Sequence, residues 1–567
     1  MTRSCSRGLV WVSLVFFIGF APALSSAQGY DVVIRNGRII DGTGNPWYSG
    51  DVAIRGDRIV AIGRLGQAPA KRVIDAAGLV VAPGFIDMLG QSELPLLIDN
   101  RAISKLSQGI TSEITGEGGS AAPQDRLTLA PLAPFLKQYH LTIDWTDLDG
   151  YFRRLERTGT PLNLATYVGA AQVREAVIGD DNRAPTPVEM ERMKSLVAEA
   201  MRQGASGIST ALIYPPGHYA TTEELIELAK VAAQYGGIYA THMRSEARSE
   251  VTAIEEALRI GREAHLPVEI FHLKVAGKSR WGSMPQIVEM IQSARDSGQD
   301  VTADMYPYTA GATALASALP PWVADGGPGK LLERLHDPGI RSRIKQEMAT
   351  EHPEWENLYL ATGGGSGVMV AQVFNPDLKK YTGQTVAQIA TEQNKDPLDT
   401  LFDIVIADEA QTGALYFMAS EEDLQYGLKQ PWTSIGLDAN EEPLDGPLYE
   451  PHGHPRGFGS MPRFIGRYAR DMKMMPLEQA IRKITSLPAQ REHLADRGLL
   501  KQGYYADITV FDPAMIADHA TYEKPTELST GVKYVFVNGA LEFEDGKLTG
   551  TNAGRALRGP GYGKLAQ

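Results

Sequence analysis

Two histidines in matched settings mark where this chain could do chemistry. Between Gly237 and Gly277 the apolar runs IYATHM and VEIFHLK each carry an imidazole near their end, His242 and His272. A helix-patterned segment, Glu250 to Ala264, separates them. The spacing predicts a strand, a helix and a second strand, with both histidines at equivalent strand ends. Strand side chains alternate, so Lys274 falls on the face of His272 and Arg244 on the face of His242. Either histidine alone reads better as an ordinary buried or surface residue. Their pairing at matched positions favours a site in which two imidazoles, a lysine and an arginine converge.

The elements that must position them alternate between strand and helix. Strand candidates are PGFIDM at Pro83, TSEIT at Thr111, NLATYVG at Asn163, GISTALIY at Gly207, IYATHM at Ile238, VEIFHLK at Val268, VTADMYP at Val301 and WTSIGLD at Trp432. Helix patterns precede most of them, as in Thr222 to Tyr235, where Thr221 and Glu224 are spaced as a capping box. Eight such units predict an α/β fold, a TIM-like (β/α)8 barrel over 81–490, with its active site at the carboxyl ends of the strands. A doubly wound open sheet would need fewer strands and usually a glycine-rich phosphate turn. The gap from Thr309 to Pro431 is too long for a connection and predicts an inserted subdomain, about 310–430, before the last barrel strand.

Both chain ends read differently, with alternation of period two. YDVVIRNGRIID and SGDVAIRGDRIVAIG near the start carry Asn36-Gly37 and Gly56-Asp57 as turn signals. YADITVFDP and VKYVFVNGALEFEDGKLTG answer them near the end, with Asn538-Gly539 between two strands. A β-sandwich built from 28–80 and 491–567 is the expectation.

The first 27 residues read as a secretory signal: Arg3 and Arg7, then LVWVSLVFFIGFAPAL, then Ser25, Ser26 and Ala27, with cleavage expected after Ala27. The protein is therefore expected to be exported, periplasmic or secreted, and no later run is long enough to span a bilayer. The one cysteine, Cys5, lies in that leader, which excludes disulfides and thiolate metal ligands from the mature chain. A net charge of −13 argues against nucleic acid or anionic membrane as partners and leaves a small-molecule substrate.

The motifs VIRNGRIIDGTG, APGFID, STALIYPPG, THMRSE, HLKVAG, DMYPYTAG, PWTSIGLD, HPRGFGSMPRFIGRYAR and ADITVFDP run from the first sandwich strand to the last. On them the chain resembles the amidohydrolase superfamily and, within it, the N-acyl-D-amino-acid deacylases. The resemblance implies the barrel and sandwich already expected, and zinc-assisted hydrolysis of an amide that releases a D-amino acid. It also implies His242 and His272 as zinc ligands and Asp438 as the acid/base. Lys274, Tyr214, Tyr306 and Arg456 would contact the substrate, Arg456 holding its carboxylate. Tyr308 shares a strand face with Tyr306, and His452 and His454 lie close to Arg456 in the chain.

Two departures change the expected metal site. Where the family has a His-X-His pair after the first strand, APGFIDMLGQSE places Leu89 and Gln91, neither a good zinc ligand. Where the family has a cysteine ligand after the second strand, the chain reads TGEGGS; Glu117 is the nearest oxygen ligand, although a gapless alignment sets Gly118 opposite the cysteine. A glutamate in such a loop is otherwise solvated. The expected set is one zinc per chain on His242, His272 and Glu117, with a position left for water. The alternatives are an amidohydrolase acting on a cyclic or other amide, or a binding homologue that has lost catalysis.

Overall fold

The computed structural model describes residues 1–2 and 29–564. Apart from its first two residues, the leader expected over 1–27 lies outside the described residues, as does its cleavage point. All eight strand candidates form: β1 Phe85–Asp87, β2 Ile110–Thr115, β3 Asn163–Thr166, β4 Gly207–Ala211, β5 Ile238–His242, β6 Val268–Ile270, β7 Val301–Met305 and β8 Thr433–Ile435. β1, β2 and β3 pair in parallel. A two-residue continuation of β3, Val168–Gly169, pairs with β4, and parallel pairing then runs in order from β4 to β8. Just beyond β1 and β8, Gly90 and Ala439 form a parallel bridge. The Met88 N–H donates to the Ile435 carbonyl at 3.2 Å. Every residue of β2, β4, β5 and β7 is buried, as parallel strands covered on both faces require.

The helices Thr222–Gln234 and Glu250–Ala264 form as the periodicity predicts. Only half of the capping box at Thr221 is made. Its hydroxyl accepts from the Glu224 N–H at 3.2 Å, but the Glu224 carboxylate turns away to a buried ion pair with Arg174 at 2.7 Å.

The two chain ends share one nine-stranded sheet, joined where Val80–Pro83 pairs antiparallel with Ile508–Phe511. Ile34, Ile54, Ile59, Val81, Ile508 and Phe536 lie in its apolar cluster. Gly56-Asp57 and Asn538-Gly539 turn between paired strands as expected. Asn36-Gly37 does not. Strand Tyr30–Ile39 runs through it with a bulge, because both halves pair with Tyr48–Arg55. Gly37 is required there, since a Cβ would come within 2.5 Å of Val81 Cγ2.

Between β7 and β8 a separate antiparallel sheet forms from Ala310–Ala314, Gly413–Phe417 and Val368–Gln372. It has an apolar cluster that includes Leu335, Ile344, Phe402 and Tyr416. Among the described residues no helix is long and apolar enough to cross a membrane.

Candidate metal centre

Glu117, His242 and His272 come from three different elements and meet at one point. Glu117 sits in the loop after β2, flanked by Gly116 at φ +95° and Gly118 at φ +68°. A Cβ on Gly118 would lie 2.5 Å from Ala211 Cβ, so that position can carry no side chain, and the carboxylate facing the histidines comes from Glu117. His242 is the last residue of β5. His272 differs from expectation: β6 ends at Ile270 and the chain turns, leaving His272 off the strand with φ +33°. Such a conformation costs about 1–3 kcal/mol and persists only where neighbours hold it. Here the His272 N–H donates to the Asp304 carboxylate of β7 at 3.0 Å.

Glu117 Oε1 lies 2.9 Å from His242 Nδ1 and 2.9 Å from His272 Nε2. The three ligand atoms all fall within 4.8 Å of one another. Zinc–ligand distances near 2.0–2.2 Å put tetrahedral donors roughly 3.4 Å apart, so seating an ion asks the carboxylate to withdraw by a few tenths of an ångström. The electrostatics agree. Burial and the Lys274 ammonium oppose a proton on His272, yet the Glu246 charge and the hydrogen bonds to Glu117 and Glu246 lift its pKa to about 10. Burial likewise works against the Glu117 carboxylate, and the two histidines hold it well below the usual range. These surroundings favour positive charge at this point, and the donor set fits a metal ion.

A second layer orients the ligands. Glu246 Oε1 is 2.9 Å from His272 Nδ1 and 2.5 Å from Lys274 Nζ. With Nε2 given to a metal, Nδ1 faces both Glu246 and, at 2.7 Å, the Lys274 ammonium, and Glu246 anchors the ring and the lysine together. His242 Nε2 is buried without a hydrogen-bond partner, and the Tyr214 ring stands edge-on to His242 at 5.2 Å.

Asp438 faces this cluster from the loop after β8, again in a left-handed conformation at φ +51°. Its N–H donates to the Leu89 carbonyl at 2.6 Å. On either side, the Leu437 N–H donates to Asp87 at 2.8 Å and the Ala439 carbonyl accepts from Lys105 at 2.8 Å. Lys105 is itself fully buried against Asp87 and Glu113. Asp438 Oδ2 is 2.8 Å from Arg456 Nη1. The Arg456 guanidinium lies over the Tyr306 ring at 4.7 Å, and Lys274 Nζ is 5.5 Å from the same ring. Burial pushes the Tyr306 hydroxyl up to about 12, so it is a neutral donor.

The structure thus brings together Glu117, His242, His272, Asp438, Lys274, Tyr214, Tyr306 and Arg456. Arg244 does not join them: it is held by Glu256 at 2.9 Å and by the carbonyls of His218 and Ala220. Of the two tyrosines after β7, Tyr306 faces His272, whereas Tyr308 packs on His454 and Tyr522. His454 is committed to backbone, accepting from the Arg456 N–H at 2.9 Å with its other nitrogen 2.9 Å from the Ala310 carbonyl. Sequence reasoning missed Glu246, Asp304 and the use made of Gln91. Glu246 had a signal, four residues after His242 in THMRSE; Asp304 had none beyond its place in β7. A surface cavity of about 860 Å³, lined by Gln124, Leu129, Trp145 and Arg153, includes none of these groups.

A sequence profile of the Amidohydrolase family matches residues 383–541. A D-aminoacylase of Alcaligenes xylosoxydans xylosoxydans is 38% identical over 542 residues, covering 94% of this chain and 98% of that protein. An N-acyl-D-aspartate deacylase from the same organism is 35% identical over 538 residues, covering 94% and 95%. The N-acyl-D-glutamate deacylase of Bordetella bronchiseptica, solved with zinc and a phosphonate inhibitor, is 33% identical, with a TM-score of 0.79 over 94% of this chain and 100% of that one.

Proposed function

The chain belongs to the amidohydrolase family, in its D-aminoacylase and N-acyl-D-amino-acid deacylase branch, and from that membership we propose that it cleaves N-acyl-D-amino acids, or dipeptides ending in a D-residue, with one zinc ion. It is a hydrolase of amide bonds with a metal cofactor. The observation that carries the finer reading is the junction of the Glu117–His242–His272 cluster with the Asp438–Arg456 pair. Glu117, His242 and His272 would hold the zinc, which would supply Lewis-acid chemistry to a carbonyl and to a water. Asp438 accepts the proton that water gives up as its oxygen bonds to the acyl carbon, and returns it to the amide nitrogen as the C–N bond breaks. Arg456 binds the substrate carboxylate: its Nε and Nη1 are buried without hydrogen-bond acceptors, although Nη1 is ion-paired with Asp438. Lys274, Tyr306 and Tyr214 line the same space as donors.

One zinc per chain follows from Leu89 and Gln91 standing where two imidazoles would be needed for a second site. The strand pairings support a (β/α)8 barrel over 81–490 with an insertion at about 310–430, and the two chain ends, 28–80 and 491–567, would form a sandwich by folding over the one sheet they share. The leader pattern supports export. The test is release of free amine from N-acetyl and N-succinyl D- and L-amino acids and dipeptides, alongside zinc analysis. Turnover of D-substrates with about one zinc per chain is expected. No stoichiometric zinc, and no hydrolysis after zinc is added, would overturn the proposal.

A further inference from the structure

Gln91 occupies the point between the ligand cluster and the base. Its side-chain nitrogen donates to Glu117 Oε2 at 2.6 Å and lies 3.3 Å from Asp438 Oδ1. We propose that Gln91 is a positioning residue whose two amide N–H bonds join the metal-ligating carboxylate to the base. The inference rests on the functional reading above.

Three features carry it. Glu117 divides its oxygens: Oε1 faces both histidines and Oε2 faces Gln91, so the amide sets which oxygen meets the metal. Asp438 divides its oxygens likewise, Oδ2 to Arg456 and Oδ1 to Gln91. An amide NH₂ has two donors on one nitrogen and no charge to neutralise either carboxylate. It therefore fixes the distance between them while leaving one able to bind metal and the other able to accept a proton. The backbone is built for this placement. The Gln91 N–H donates to the Ala439 carbonyl at 3.2 Å and the Gly90 N–H to the Ile114 carbonyl at 2.7 Å, tying the loop to β2 on one side and to the loop after β8 on the other. Gly90 has to be glycine, because a Cβ would fall 1.7 Å from Glu113 Oε1.

The test replaces the amide without its donors, in Gln91→Met, with Gln91→Ala as a second variant that adds no bulk. The full chain is titrated with zinc against a chelator, and kcat and KM are measured on the best N-acetyl-D-amino acid. Zinc binding should weaken by about 10- to 100-fold, as for other partners of metal ligands. At saturating zinc kcat should fall about tenfold or more with KM nearly unchanged, and the metal-free thermal midpoint should match that of the unaltered protein. Unaltered zinc affinity and kcat in both variants would overturn the inference, as would losses that merely track a lowered metal-free midpoint. If the unaltered protein itself neither binds zinc nor hydrolyses the substrate, the functional reading fails instead.

Discussion

Replacing Arg456 with methionine separates substrate binding from catalysis, and the size of the effect follows from how the guanidinium is held. Arg456 is buried, its Nη1 is 2.8 Å from Asp438, and its remaining protein acceptor is the Ala312 carbonyl at a weak 3.4 Å. A substrate carboxylate therefore finds donors to spare. It gains about one net charge-assisted hydrogen bond once the competition with Asp438 is counted, worth roughly 1.5–3 kcal/mol. At 1.36 kcal/mol per tenfold, Arg456→Met should lower kcat/KM for N-acetyl-D-amino acids by about 10- to 150-fold. The matching carboxamide substrates never made that bond and lose only what the unpaired Asp438 carboxylate costs, so their loss should be clearly smaller. Arg456 touches none of Glu117, His242 and His272, so zinc content should not change. The assay is kcat/KM on paired acid and amide substrates, with zinc measured on the same samples. An equal loss on both substrates with normal zinc would refute the role given to Arg456.

Asp438→Asn keeps the side-chain shape, and asparagine tolerates the left-handed backbone at this position; kcat should fall by roughly 10²- to 10⁴-fold with zinc retained, and retention of full kcat would rule Asp438 out as the base. Glu117→Gln exchanges an anionic ligand for a poor neutral one, so zinc should be lost on dialysis, and a variant that still holds about one zinc per chain would remove Glu117 from the ligand set. N-acetyl-D-amino acids should be turned over in preference to their L-enantiomers, and equal turnover across the screen would remove the D-selectivity. Away from the site, burial pushes the Glu492 carboxyl up to about 7 where it meets Tyr167. The folded protein therefore holds a proton that the unfolded chain gives up near 4.5. That contribution, about 3 kcal/mol, is fully present below pH 4.5 and is lost as pH rises through 7. Thermal midpoints should thus fall less steeply between pH 5 and 8 in Glu492→Gln, and identical slopes would refute the assignment.

The eight strand segments and the helices between β4 and β6 were legible in the chain, because they depend on hydrophobic periodicity and turn chemistry that act within a few residues. The two histidines were legible for the same reason, each marking the end of an apolar run. Where the chain departs from local pattern, the tertiary structure decided. Nothing local requires β6 to stop at Ile270 or His272 to take a positive φ; the Asp304 carboxylate from the next strand holds it there. Alternation aimed Arg244 at the site, but Glu256 and two carbonyls claim it, since a guanidinium goes to the best set of acceptors within reach. The choice between Glu117 and Gly118 rested on steric contact with Ala211, a residue almost a hundred positions away. Asp438 reaches the cluster because Asp87, Leu89 and Lys105, far from it in the chain, bind the backbone on either side. Sequence pattern carries what short-range physics enforces. The exact approach of one carboxylate to two imidazoles is set by long-range contacts that only the folded chain brings together.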